Sequence, residues 1–202
     1  MTADDDAYAA FRDLLNALAD AYGGEDRAGA RELVARLREG AENALPEPVA
    51  PYRYDAAILS ATEGARHPAA LAARGAHRLL SWSATGILEE LIPATVSNIF
   101  AVAPLVGPGA VIESDRVRAG LFMQLSGSFY PAHAHSAEET YIMLAGEADW
   151  QLDLGEWHRH GPGDVIHHPS EAPHATRTDA VPILAAWRWS GDLRSETYRM
   201  VS

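Results

Sequence analysis

Cysteine is absent from the 202 residues, which removes disulfides, thiol catalysis and cysteine-bound zinc. Histidine and carboxylate remain as the only strong metal-binding side chains. No stretch approaches the ~20 consecutive apolar residues that span a bilayer, so no membrane partner is expected. Basic residues are scarce, 16 against 28 acidic ones, and the net charge of -12 repels nucleic-acid backbones. Nucleic acid is therefore not an expected partner. A secretion signal is also missing: MTADDDAYAAF is acidic where such a signal is basic and then apolar, and a cytoplasmic location is expected. Repeats of solenoid length and low-complexity tracts are absent.

What is there reads as an ordinary folded chain, with 48% apolar and 22% charged residues and a length that suits one domain, or one domain with a helical annex. Phe11, Leu14, Leu15, Leu18 and Tyr22 recur at helical spacing over residues 8–22, and Gly23-Gly24 ends the run. A second helical run over 26–39 points Leu33, Val34 and Leu37 inward and stops at Gly40. The stretch from Pro46 to Pro51, with three prolines, reads as a linker. Residues 67–92 are expected to be helical again, burying Ala69, Leu71, Leu79, Leu80, Ile87, Leu88 and Leu91, until Pro93.

After about residue 98 the chain changes to short runs of Val, Ile, Phe, Trp and Tyr broken by Gly, Pro and Asp, the spacing of an all-β barrel. Candidate strands are 98–103, 110–113, 117–125, 140–145, 147–153, 156–160, 164–168, 174–178 and 182–189. The expectation is a mainly β protein, with a helical region over 1–97 packed on a barrel over 98–202.

Seven of the nine histidines fall between residues 133 and 174. Gly127, His133, His135, Glu139 and Gly146 form G-x5-H-x-H-x3-E-x6-G, which resembles the first cupin motif without a mismatch. Gly163, Pro169 and His174 form G-x5-P-x4-H, which resembles the second, with Glu171 where a glycine is usual. The resemblance implies a double-stranded β-helix, the jelly-roll barrel of cupins. The strand period of two would send His133, His135, Glu139 and Tyr141 to one face, with His174 arriving from a neighbouring strand. Imidazoles with a carboxylate suit one divalent transition metal, Zn, Fe, Mn, Ni, Co or Cu, and the sequence does not choose among them. His158, His160, His167 and His168 read as surface or supporting groups.

HAHSAEETY extends the pattern to H-x-H-x3-E-x-Y, and Tyr130 lies five residues before His135. Here the chain resembles the cupin-type dimethylsulfoniopropionate (DMSP) lyases, as it does in length, in its helical first part and in the run Trp187-Arg188-Trp189. That resemblance implies His135, Glu139, Tyr141 and His174 as metal ligands, with His133 and Tyr130 lining the substrate pocket. The general cupin assignment would instead make His133 a ligand and free Tyr141, and both remain open.

The reaction implied is β-elimination, in which loss of the proton α to the substrate carboxylate expels dimethyl sulfide and leaves acrylate. A metal would stabilise the developing negative charge. Tyr141 is the implied base, since a neighbouring cation favours its phenolate. Tyr130 is the reserve base, although its even number puts it on the strand face opposite His133 unless Pro131 marks a kink. Trp187 and Trp189, two apart on one strand face, are candidate walls for the cationic sulfonium. A small-molecule substrate is thus the expected partner. Two other readings stay open: a cupin metalloenzyme of other chemistry, such as a dioxygenase or isomerase on a small carboxylate or sugar acid, and a non-catalytic small-ligand-binding cupin. Ala-rich helices and open barrel edges are compatible with a homodimer.

Overall fold

The computed structural model describes residues 3–84 and 91–201. The first of two layers is helical: α1 (Ala3–Gly23), α2 (Ala28–Asn43), α3 (Asp55–Ala61) and α4 (Pro68–Gly75), with the short α5 (Ala94–Ser97) leading into the strands. The second is β: β1 (Phe100–Val106), β2 (Val117–Gln124), β3 (Phe129–Ala134), β4 (Ala137–Ala145), β5 (Ala148–Leu152), β6 (Trp157–His160), β7 (Val165–His168), β8 (His174–Thr178), β9 (Ile183–Gly191) and β10 (Arg199–Met200). They form two antiparallel five-stranded sheets, ordered β1-β2-β9-β4-β7 and β10-β3-β8-β5-β6. This is the jelly roll of a cupin preceded by helices, as the motifs implied. No helix among the described residues is long and apolar enough to cross a membrane.

The central strands of the first sheet are buried on both faces, whereas the edge strand β7 leaves Val165 exposed. Strand β9, ILAAWRWSG, is buried from Ile183 to Ser190, and its alternation sorts the two sides. Leu184 and Ala186 join the core shared with α1, α2 and α4, whereas Ile183, Ala185, Trp187 and Trp189 enter the core between the sheets. Arg188 falls on the helix side with no exposure at all. A charge there is stable only when paired. Its guanidinium donates to Glu25 at 2.8 Å and to Thr140 Oγ1 at 2.8 Å, and reaches Glu138 at 3.3 Å. Thr140 Oγ1 also donates to Glu25 at 2.7 Å, and Tyr22 Oη donates to the Thr140 carbonyl at 3.3 Å. The turn between α1 and α2 is thus pinned to the middle of β4 and β9.

The region expected to be one helix over 67–92 is not. It is helical to Gly75, makes a 3-10 turn over His77–Leu79 and then runs extended, so that Ser83 bridges Val102 with an N···O distance of 2.9 Å. Buried Leu80 and Trp82 alternate with exposed Ser81, a period of two that the helical reading missed. Leu71 and Leu91, expected inside, are exposed. Ile87 and Leu88 lie outside the described residues. The expected strand at 110–113 is a loop with one bridge, Val106 to Ile112, because Pro108 and Gly109 turn the chain there. Helix α3 and strand β3 were not anticipated.

Replacing Glu25 by Ala leaves the Arg188 guanidinium buried with only Glu138 as a charged partner. The expected cost is about 3 kcal/mol, the low end for a broken buried pair, read from urea unfolding. An apolar replacement of both residues together should recover much of it.

Candidate metal centre and cavity

The two cupin motifs meet inside the second core. Strands β3 and β8 place His133 directly opposite His174. Strand β4 presents Glu139 between two neighbours, opposite His168 on β7 and Trp189 on β9, and presents Tyr141 opposite Trp187. His135 occupies the turn from β3 to β4. Its Nδ1 lies 3.0 Å from the Ala137 carbonyl, which aims Nε2 inward.

Glu139 Oε2 is the point of convergence. His135 Nε2 lies 3.2 Å from it, His174 Nε2 3.1 Å and His168 Nδ1 3.6 Å. The other oxygen, Oε1, accepts the Trp189 indole N–H at 2.7 Å. Glu139 is 2% exposed, so its charge depends on these groups and on the neighbouring Tyr141 hydroxyl rather than on water. Burial alone would push its carboxyl pKa up; the imidazoles of His135, His168 and His174 outweigh that and hold it well below the usual range.

His135, Glu139 and His174 offer ligand atoms within 4.8 Å of one another, a set compatible with one metal ion. His174 Nε2, despite its distance to Glu139, makes no hydrogen bond, and His168 makes none through either nitrogen, its Nδ1 standing 3.6 Å from Glu139. Buried polar atoms are rarely left so, and a cation bound by the His174 nitrogen would relieve that one. The His174 and His135 Nδ1 atoms are tied back to the Ala172 and Ala137 carbonyls, the outer-sphere arrangement that orients ligating histidines.

The remaining predicted residues surround this group. Tyr130, His133, Tyr141, Trp187 and Trp189 line one cavity with His135 and Glu139, closed further by Phe100, Phe122 and Tyr198. Tyr130 stacks on His133, with centroids 4.1 Å apart and planes at 12°. The face problem posed by its even number is removed by a register shift between Tyr130 and His133, around Pro131, which has no N–H to lose from the ladder. His133 bonds the Pro131 carbonyl through Nδ1 and stands outside the His135, Glu139 and His174 set. Burial, then the His174 charge, lowers its pKa well below 6.5. Burial, then the Glu139 charge, raises Tyr141 well above an ordinary phenol, and burial does the same to Tyr130. Trp189 is less a free wall than a support: its indole ring also lies 4.2 Å from the His135 ring.

Phe100 and Phe122 of the cavity wall were not singled out from the sequence, and two polar residues beside the His-Glu group were missed as site residues as well. His168, set aside as a supporting group, is fully buried, stacks on His174 at 4.0 Å, and has its pKa lowered to about 3 by burial and the His174 charge. The signal was present, since Ile166 and His168 alternate with Val165 and His167 along β7. Tyr198 had no signal, because it follows the last expected strand in a stretch without periodicity.

A jelly roll enclosing a buried His-His-Glu group at the foot of an aromatic cavity defines a cupin suited to a divalent cation. The comparisons narrow the class. A profile of the DMSP lyase family matches residues 8–185. Dimethylsulfoniopropionate lyase DddQ of Ruegeria pomeroyi is 35% identical over 159 residues, 76% of this chain and 79% of its own length. The crystal structure of DMSP lyase DddQ from Ruegeria pomeroyi DSS-3 superposes with a TM-score of 0.64 at 31% identity, covering 92% of this chain and 93% of that one. A chain from the crystal structures of the DMSP lyases RdDddP and RnDddQII gives a TM-score of 0.70 over 97% of this chain and 100% of that one; at 23% identity it bears on the fold alone. The chain belongs to the DMSP lyase family.

Trp189→Phe removes the donor to Glu139 while keeping an aromatic ring. Divalent-metal affinity measured by isothermal titration calorimetry should fall about 10- to 100-fold, the range for lost outer-sphere partners.

Proposed function

We propose that this chain is a metal-dependent lyase that cleaves dimethylsulfoniopropionate to dimethyl sulfide and acrylate. The observation that carries the reading is the convergence of His135 and His174 on Glu139 inside a cavity walled by Tyr130, Tyr141 and Trp187, in a chain of this family. His135, Glu139 and His174 hold one divalent transition metal, drawn from Zn, Fe, Mn, Ni, Co and Cu, with Tyr141 or His133 as the further ligand. When bound, such an ion supplies positive charge that attracts the substrate carboxylate and eases ionisation of a nearby phenol.

The chain's own residues do the rest. Tyr141, as phenolate, takes the proton α to the carboxylate; the electron pair of that C–H bond forms the C=C bond, and the Cβ–S bond breaks with its pair leaving on sulfur. The proton ends on Tyr141 Oη, and acrylate and neutral dimethyl sulfide are released. Tyr141 has the right surroundings for this change of state. Without positive charge nearby, burial and Glu139 keep it protonated, so its ionisation is linked to filling of the site. The sulfonium cannot accept or donate a hydrogen bond, and the rings of Trp187, Phe100 and Phe122 offer it faces contributing roughly 0.5–2 kcal/mol each. Tyr130 and His133, stacked on one another and packed beside Phe100 and Phe122, form the polar edge that meets the carboxylate.

Purified protein loaded with each metal in turn and given DMSP should release dimethyl sulfide, measured by gas chromatography, with acrylate in equal amount. Absence of both products with every metal sinks the assignment. Tyr141→Phe should lower kcat by about 100-fold or more while the fold remains, as expected for loss of a general base. Dialysis against a chelator should abolish turnover, and returning the metal should restore it.

A further inference from the structure

The residues after β9 form a strap across one side of the cavity. Between 192 and 201, Tyr198 alone is buried. Its hydroxyl lies 2.9 Å from that of Tyr130, and its ring centroid lies 5.4 Å from that of His133. The strap adds β10 to the edge of β3, pairing Arg199 with Ala134 and Met200 with His133. Thr197 Oγ1 accepts the Ser136 N–H at 3.1 Å, and Arg118 donates to Ser195 Oγ at 2.9 Å.

The Val201 N–H donates to the Ala132 carbonyl at 2.8 Å, and a further fastening uses the one residue that departs from the second motif. Glu171 stands where glycine is usual, and its φ of 67° is the left-handed conformation that favours glycine. A side chain there is strained, so a compensating contact is called for. Its carboxylate accepts the Ser136 hydroxyl and the Arg199 guanidinium, the latter at 2.6 Å, while its N–H donates to the His135 carbonyl at 2.9 Å. Glu171 thereby joins the turns of both metal motifs to the strap.

We propose that Tyr198 is a wall of the substrate cavity and the positioning residue for Tyr130, and that Glu171 replaces glycine because its carboxylate fastens the strap that carries Tyr198. The proposal rests on the reading that this cavity takes DMSP. The two phenols share two protons in an otherwise aromatic wall. Tyr198 Oη also reaches the Met200 sulfur at 3.4 Å, a weak acceptor. When a substrate carboxylate accepts the Tyr130 proton, Tyr198 turns its own from sulfur to Tyr130, and the chain of hydroxyls strengthens the bond to substrate.

Tyr198→Phe keeps the ring and removes that proton; it should raise KM for DMSP about three- to tenfold and affect KM more than kcat, the worth of one hydrogen bond. Glu171→Gly relieves the backbone and is expected to fold. It should speed amide hydrogen exchange across 192–201 and raise KM two- to fivefold, the scale of a half-exposed ion pair. The swap Glu171→Arg with Arg199→Glu should restore slow exchange. An unchanged KM in Tyr198→Phe overturns the role of the hydroxyl, and unchanged exchange in Glu171→Gly overturns the fastening. Exchange is read without substrate, so it reports on the strap even if the wild-type protein fails to cleave DMSP.

Discussion

A carboxylate removed from water has to be surrounded by something, and Glu139 organises the interior of this protein through that requirement. Its two oxygens divide the work: Oε1 takes the Trp189 indole N–H, and Oε2 faces three imidazoles. Each of those partners arrives from a different segment, the β3–β4 turn, β7, β8 and β9. A misregister in any one of them would strand a buried charge, at a cost comparable to a large fraction of a domain's stability. The same arrangement leaves His174 Nε2 without a hydrogen bond, an opening for a cation. Stability and chemistry therefore place opposing demands on one side chain, which a bound cation would reconcile.

The fold class was legible because its signals are local. Helical spacing marks α1 and α2, period-two runs mark most strands, and the H-x-H-x3-E pattern places His135 and Glu139 where a strand follows a turn. What was not legible depends on partners distant in the chain. Tyr130 faces inward only because β3 shifts its register against β8, and a Pro at 131 hints at a kink without giving its size. The extended segment at Leu80–Trp82 exists because Ser83 finds Val102, which no local propensity announces. His168 was readable from alternation along β7, but its meaning depends on lying opposite Glu139. Tyr198 was unreadable, since its burial follows from strand addition at a sheet edge two residues long.

The buried Arg188 completes the picture from the other side. It lies between Trp187 and Trp189 in sequence and points away from both, into the pairing with Glu25. The helices thus press on the same strand, β9, that supplies two aromatic residues to the cavity, and the strand's register is held by ions on one face and by an indole–carboxylate bond on the other.

Two-sided burial of that strand leaves no neutral surface behind the cavity. In most jelly rolls with a solvated outer sheet, pocket residues can drift while their alternate neighbours remain free polar decoration. Here each odd-numbered change toward the cavity has an even-numbered neighbour locked in the helical layer, so adaptation of the pocket to a bulkier sulfonium has to be negotiated with α2 and α3. Variation in the helices is accordingly a route to altered selectivity, exerted through the thickness of a single strand.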